Sequence, residues 1–141
     1  MKRRKFLRTA PVGGVASAIG GCSMVSSTGI IVEQVIIGNW DRTSNHTIQV
    51  VIEYDGETIY EKTHELKQRE GQTAPSATIS ERLPDDAGKY VVSALMPPQS
   101  SPNRVNVGQA TDKRCATVEI HAFDGDDLGI SVGEHCSSEQ K

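Results

Sequence analysis

His46-Thr47-Ile48-Gln49-Val50-Val51-Ile52-Glu53-Tyr54 runs directly into Asp55-Gly56. Ile48, Val50, Ile52 and Tyr54 take one face of this stretch, and Thr47, Gln49, Val51 and Glu53 the other. Successive side chains of a strand point to opposite faces, so the alternation predicts a half-buried β-strand. Asp-Gly behind it predicts a hairpin, because both residues tolerate positive φ. The returning strand, Thr58 to Leu66, is mostly polar and belongs near a sheet edge. A three-residue loop with Gly56 left-handed would put Tyr60 beside Val50 on the core face, and a two-residue loop would turn it outward. Burying an aromatic side chain contributes about 1.5–3 kcal/mol, which favours the three-residue loop.

Working outward, the same grammar repeats. No helical period of useful length appears after Gly29. Ile30 to Ile37 is a dense β-branched run, expected as a buried first strand, and residues 38–45 read as a turn. Ala77 to Leu83 is a further strand ended by Pro84, and Lys89 to Leu95 alternates again. Met96 to Asn103 holds three prolines, which lack the N–H a sheet needs, so it is an exposed loop. Arg104 to Val107 is a short strand. Cys115 to Phe123 and Leu128 to His135 form a closing hairpin around Asp124-Gly125-Asp126-Asp127.

Asp86-Ala87-Gly88-Lys89-Tyr90 resembles the tyrosine corner of immunoglobulin-like domains, as does the strand Ala77-Thr78-Ile79-Ser80 before it. In that family the tyrosine hydroxyl bonds back to the backbone ahead of a central strand. The resemblance implies structural roles for Asp86, Gly88 and Tyr90. It covers about sixteen residues. Val92 stands where such a domain carries a cysteine, Trp40 is off the expected strand, and more chain follows than the family needs. The expected fold is therefore all-β, an immunoglobulin-like antiparallel β-sandwich of about seven to nine strands.

The first thirty residues carry a different message. Lys2, Arg3, Arg4, Lys5 and Arg8 precede a short, small-residue apolar run that ends at Gly21-Cys22. A membrane-spanning helix needs roughly 20 apolar residues, so the pattern is that of a cleaved secretory signal. Arg3-Arg4 resembles the twin-arginine type, and Ile19-Gly20-Gly21-Cys22 resembles a lipobox, which implies cleavage before Cys22 and its acylation. The expected organisation is residues 1–21 as signal, residues 22–29 as lipidated cysteine and tether, and residues 30–141 as the β-sandwich domain. The signal carries five of the 15 Lys and Arg and none of the 18 Asp and Glu, leaving 120 residues with a net charge of −8. That acidity disfavours nucleic acid, whose phosphates need cations. Export, lipobox and acidic domain together resemble the small surface lipoproteins of salt-loving archaea.

With Cys22 assigned to lipid, Cys115 and Cys136 are most simply one disulfide in an exported domain. The alternatives are free thiols or metal ligands. A bridge would stabilise the fold by roughly 3 kcal/mol. Setting the two cysteines directly across the hairpin would oppose Val118 to Gly133. The better apolar register, one residue away, opposes Val118 to Val132, Ile120 to Ile130 and Ala122 to Leu128. Both cannot hold in a regular ladder, so a bulge at Gly133 is expected.

Chemistry-bearing motifs are sparse. Asn45-His46-Thr47 is a sequon, so Asn45 is a glycosylation candidate. Asp124, Asp126 and Asp127 offer oxygens for a hard cation but lack the glutamate that closes an EF-hand loop, and read as a solvated turn. His46, His64, His121 and His135 show no copper-site spacing. No nucleophile elbow, zinc-protease motif or phosphate loop occurs. An aromatic sugar platform has little material, since only Trp40, Tyr54, Tyr60, Tyr90 and Phe123 remain after the signal and at least two should be core. The expectation is a non-enzymatic, cofactor-free interaction or accessory module, lipid-anchored on the outer face of the cell membrane, with a protein partner in the envelope. Its contact loops would be Lys67 to Thr73, Met96 to Asn103 and Asp124 to Asp127. A small-ligand or metal-binding surface lipoprotein is the alternative.

Overall fold

The computed structural model describes residues 29–134 of the chain. They form eight strands: β1 (Ile31–Asn39), β2 (His46–Tyr54), β3 (Glu57–Leu66), β4 (Ser76–Ile79), β5 (Tyr90–Leu95), β6 (Asn103–Asn106), β7 (Cys115–Phe123) and β8 (Asp127–Gly133), with one helical turn, α1 (Val107–Ala110), between β6 and β7. The strands make two four-stranded sheets, in the orders β8-β7-β1-β4 and β3-β2-β5-β6. This is a β-sandwich. Among the described residues no helix is long and apolar enough to cross a membrane.

The alternation read from the sequence builds the core. Ile48, Val50 and Ile52 of β2 and Tyr90, Val92 and Ala94 of β5 face inward, against Val35 and Ile37 of β1 and Ala116, Val118, Ile120 and Ala122 of β7. All of them are fully buried. Each large aliphatic among them contributes about 1.5–3 kcal/mol. In an immunoglobulin-type sandwich one sheet holds strands A, B, E and D, and the other C, F and G, with C′ added in variable-type domains. Here β1 and β4 match B and E, while β2, β3, β5 and β6 match C, C′, F and G. The extra C-terminal chain fills the free side of β1, where strand A would lie. It does so in parallel, pairing Ile31 with Cys115 and Asn39 with Ala122, so the sandwich is not antiparallel throughout.

Several local expectations are corrected. The β2–β3 loop has two residues, with φ of 51° at Asp55 and 87° at Gly56. Tyr60 still reaches the core face, because the register shifts between Ile52 and Glu53 and sets Tyr60 opposite Ile52. A bulge does what a longer loop was expected to do. The β7–β8 ladder keeps the apolar register and runs unbroken to Gly133 opposite Thr117, so no bulge interrupts it at Gly133. A bulge lies instead in β1 between Val32 and Gln34, which lets Val32 and Val35 both point inward although they are three residues apart. The strand expected over Ala77 to Leu83 stops at Ile79, and Val107 belongs to α1 rather than β6.

The corner residues sit close together. The buried Tyr90 hydroxyl donates to the Pro84 carbonyl at 3.5 Å. Burial, with Tyr54 beside it, pushes that hydroxyl above the usual phenol range. Asp86 contributes its carbonyl, which accepts from Tyr54 at 3.3 Å. Gly88 exchanges two backbone hydrogen bonds with Ile30, at 2.9 and 3.0 Å. Cys115 is 2% exposed at the start of β7 and is disulfide-bonded. Arg3, Arg4, Cys22 and Cys136 lie outside the described residues.

Candidate functional site

Because β1 and β7 run parallel, both end at the same place, the end of the sandwich away from Gly29. The antiparallel neighbours turn there as well, at β2–β1, β3–β4, β5–β6 and β7–β8. All three loops expected to carry contacts, 67–73, 96–103 and 124–127, therefore gather at this end. They are stitched together. Arg42 N–H donates to Asp124 Oδ1 at 3.1 Å, Gln99 Nε2 to the Asp126 carbonyl at 3.0 Å, and Arg69 N–H to the Asp41 carbonyl at 2.8 Å.

Asn39 is the centre of the stitching. Its buried Nδ2 donates to the carbonyls of Ser44, Leu66 and Lys67 at 3.1, 3.2 and 2.9 Å. Its Oδ1 accepts from Asp41 N–H at 2.9 Å. Next to it, buried Asp41 accepts from the Thr43 N–H at 2.8 Å and the Thr43 hydroxyl at 2.7 Å, and lies 2.7 Å from His46 Nε2. The Thr43 N–H, then His46, then the Thr43 hydroxyl hold the Asp41 carboxyl well below the usual carboxylate range, against the opposing effect of burial. A carboxylate depressed in the fold stabilises it above its unfolded pKa, near 4, and that stabilisation disappears as pH falls. The melting temperature is therefore expected to drop from about pH 5 downward. Asp41→Asn should melt lower at pH 7 and show a smaller acid decrement, as calorimetry at pH 7, 5 and 3 would reveal; parallel curves would remove Asp41 from the account.

On this scaffold sits an aromatic cluster whose members, Trp40, His121 and Phe123, stand singly in the sequence and meet only in the fold. Trp40 follows β1, pinned to β7 by its N–H on the Ala122 carbonyl at 2.8 Å, while Asn39 N–H bonds Pro75 on the β4 side at 3.0 Å. Its ring meets His121 edge-on with centroids 6.0 Å apart, and His121 meets Phe123 edge-on at 5.9 Å. The Arg69 guanidinium carbon lies 5.1 Å from the indole centroid. Trp40 and Phe123, 37% and 40% exposed, are the exposed large hydrophobic side chains among the described residues. Beside them runs a groove of about 340 Å³, lined by Trp40, Gln72, Thr73, Ser76, Glu119 and His121. Gly38 leaves it open: a Cβ there would lie 3.4 Å from His121 and 3.5 Å from Trp40 Nε1. Glu119 Oε1 is 3.6 Å from His121 Nε2.

The β7 half of this cluster was legible, since Glu119, His121 and Phe123 alternate with inward Val118, Ile120 and Ala122. The juxtaposition with Trp40 was not, because it depends on a parallel pairing between strands about eighty residues apart. Asn45 is exposed just before β2, and its Oδ1 accepts from Gln68 N–H at 2.8 Å. A second hollow, about 480 Å³, opens between β3 and β4 over Tyr60 and His64, which bond to each other at 2.8 Å. Burial, and then Lys62, lower the pKa of His64. Among the described residues no group of three or more His, Cys, Asp or Glu side chains could hold a metal ion.

The fold defines an eight-stranded β-sandwich with its β1–β2, β3–β4, β5–β6 and β7–β8 loops and its exposed aromatics at one end. No protein-family model matches the chain, and no curated protein matches it. Solved structures that it resembles include a proposed cell adhesion protein from Bacteroides ovatus, at 9% identity and a TM-score of 0.37, over 76% of this chain and 46% of that one. Another, described as a trapped toxin, has 9% identity and a TM-score of 0.33, over 73% of this chain and 23% of that one. The chain thus spans less than half the length of either.

Proposed function

We propose that the protein is a non-enzymatic module of the outer cell surface, anchored through lipid on Cys22, that binds an envelope component with its loop-bearing end. The supporting observation is the opposition of two ends along β1. The described chain enters at Gly29, beside Ile31, and Trp40 follows Asn39 at the other end of that nine-residue strand. At about 3.3 Å per residue the strand spans roughly 30 Å. A short tether at residues 22–29 would hold the entry end toward the membrane and present Trp40, His121 and Phe123 outward. Exposed aromatics at fixed positions are what recognition surfaces use, and a net charge of −8 after removal of the signal keeps such a domain soluble. We assign the disulfide of Cys115 to Cys136, which leaves Cys22 for the lipid.

Intact mass of the protein purified from membranes of its host tests this. The expected mass is that of residues 22–141 plus lipid, less two hydrogens, and a glycan on Asn45 would appear as a further increment. Cys22→Ser should abolish processing or release the protein into the medium. Normal processing with unchanged membrane retention in that variant would overturn the anchor.

A further inference from the structure

We infer that the component bound at the loop-bearing end is a neutral glycan, seated in the groove beside Trp40 and Phe123; this rests on the reading above of that end as the contact surface. The groove's composition carries the inference. The centre of a protein–protein contact is dry and depleted of charge. Here the Trp40 and His121 rings, with Ile36 and Ala74, share the groove with the hydrogen-bonding side chains of Gln72, Thr73, Ser76 and Glu119, and Phe123 stands against His121 at its margin. A pyranose has this same mixture, apolar C–H faces that stack on rings and a rim of hydroxyls that needs both donors and acceptors. The groove volume, about 340 Å³, lies within the range of roughly 300–1,000 Å³ usual for small-ligand sites. Gly38 removes the side chain that would otherwise stand between Trp40 Nε1 and His121, so a flat ring can approach the sheet. One carboxylate, Glu119, and one guanidinium, Arg69 against the indole, leave no excess of positive charge to select an anionic ligand. The acidity of the domain, 18 Asp and Glu against ten Lys and Arg after the signal, opposes one.

Trp40 is the chain's single tryptophan, so its emission reports directly on the groove. The protein from residue 22 to residue 141 is titrated with neutral hexasaccharides of glucose, mannose and N-acetylglucosamine, and with neutral glycans released from the host's own surface. A saturable change in Trp40 emission is expected with at least one of them, little altered between low and high salt because no charge pairing carries it. Phe123→Ala and Glu119→Gln keep the reporter, and each should weaken binding by about tenfold or more with the melting temperature unchanged. Absence of any saturable change, or binding that neither substitution weakens, would overturn the glycan. A photo-crosslinking residue at position 123, used in host cells, separates the two levels. Crosslinks to an envelope protein without sugar binding would sink the glycan and leave the contact surface standing. No crosslink and no sugar binding would remove both.

Discussion

Gly88→Ala is expected to lower the unfolding free energy by about 3 kcal/mol, with the urea midpoint falling accordingly. The constraint is space, since Gly88 is not among the positive-φ glycines. A Cβ at this position would lie 2.3 Å from Cε1 and 2.7 Å from Cζ of Tyr54. Gly88 cannot retreat, because its N–H and carbonyl are both bonded to Ile30. On its other side it faces Gly29, whose own added Cβ would lie 2.7 Å from Gly88 N. Tyr54 can move only by surrendering its hydroxyl contacts to the Asp86 and Ala87 carbonyls, at 3.3 and 3.2 Å, and its edge-on packing on Tyr90, 5.0 Å between centroids. Overpacking of this kind costs about 1–3 kcal/mol, and loss of the hydroxyl's single hydrogen, shared between the two carbonyls, adds about 1 kcal/mol, partly offset by water at this exposed edge. Gly108→Ala is the control. It lies in α1 with nothing nearer than Asn106 Oδ1 at 3.9 Å, and alanine suits a helix better than glycine, so it should be neutral or slightly stabilising. Equal effects at the two positions would refute the packing argument.

Asn39→Ala is expected to cost about 2–4 kcal/mol and to loosen the loop-bearing end more than the rest. The side chain is fully buried and satisfies three carbonyls and one N–H, drawn from two separate loops. Removing it orphans those groups where water enters poorly, and each buried unsatisfied group costs about 1–3 kcal/mol. Asn39→Asp is the sharper probe. It keeps the acceptor for Asp41 N–H but aims a carboxylate at three carbonyl oxygens. Hydrogen exchange should report faster opening at residues 41–45 and 66–69 in both variants, while β2 and β5 stay protected. Uniform acceleration throughout the domain would mean that Asn39 holds the whole sandwich rather than its end.

Much of the fold could be read from residue order because it depends on local chemistry. The period of two in 46–54, the Asp-Gly turn and the proline loop after Met96 each act over a few residues. The turn ahead of β5 is equally local: Tyr90 reaches back only as far as Pro84. The errors arose where two strands compete over register. Whether Tyr60 reached the core through a longer loop or through a bulge could not be told from alternation, which is blind to an inserted residue. The β7–β8 pairing followed its apolar register because matched Val118–Val132 and Ile120–Ile130 pairs cover the core, and the one-residue alternative would expose them.

By itself the sequence determined the class of fold, the hairpins, the inward-facing residues of β2, β5 and β7, and the acidity of the domain. Each of these follows from side-chain periodicity or from charge, which neighbouring residues settle between them. Only the tertiary structure decided that β7 runs parallel to β1, and thus that Trp40 meets His121 and Phe123 above a groove floored by Gly38. The reason is that β7 covers the free edge of β1, a pairing between segments far apart in the chain. Its direction is set by how the two sheets close over one core, and no local pattern encodes that.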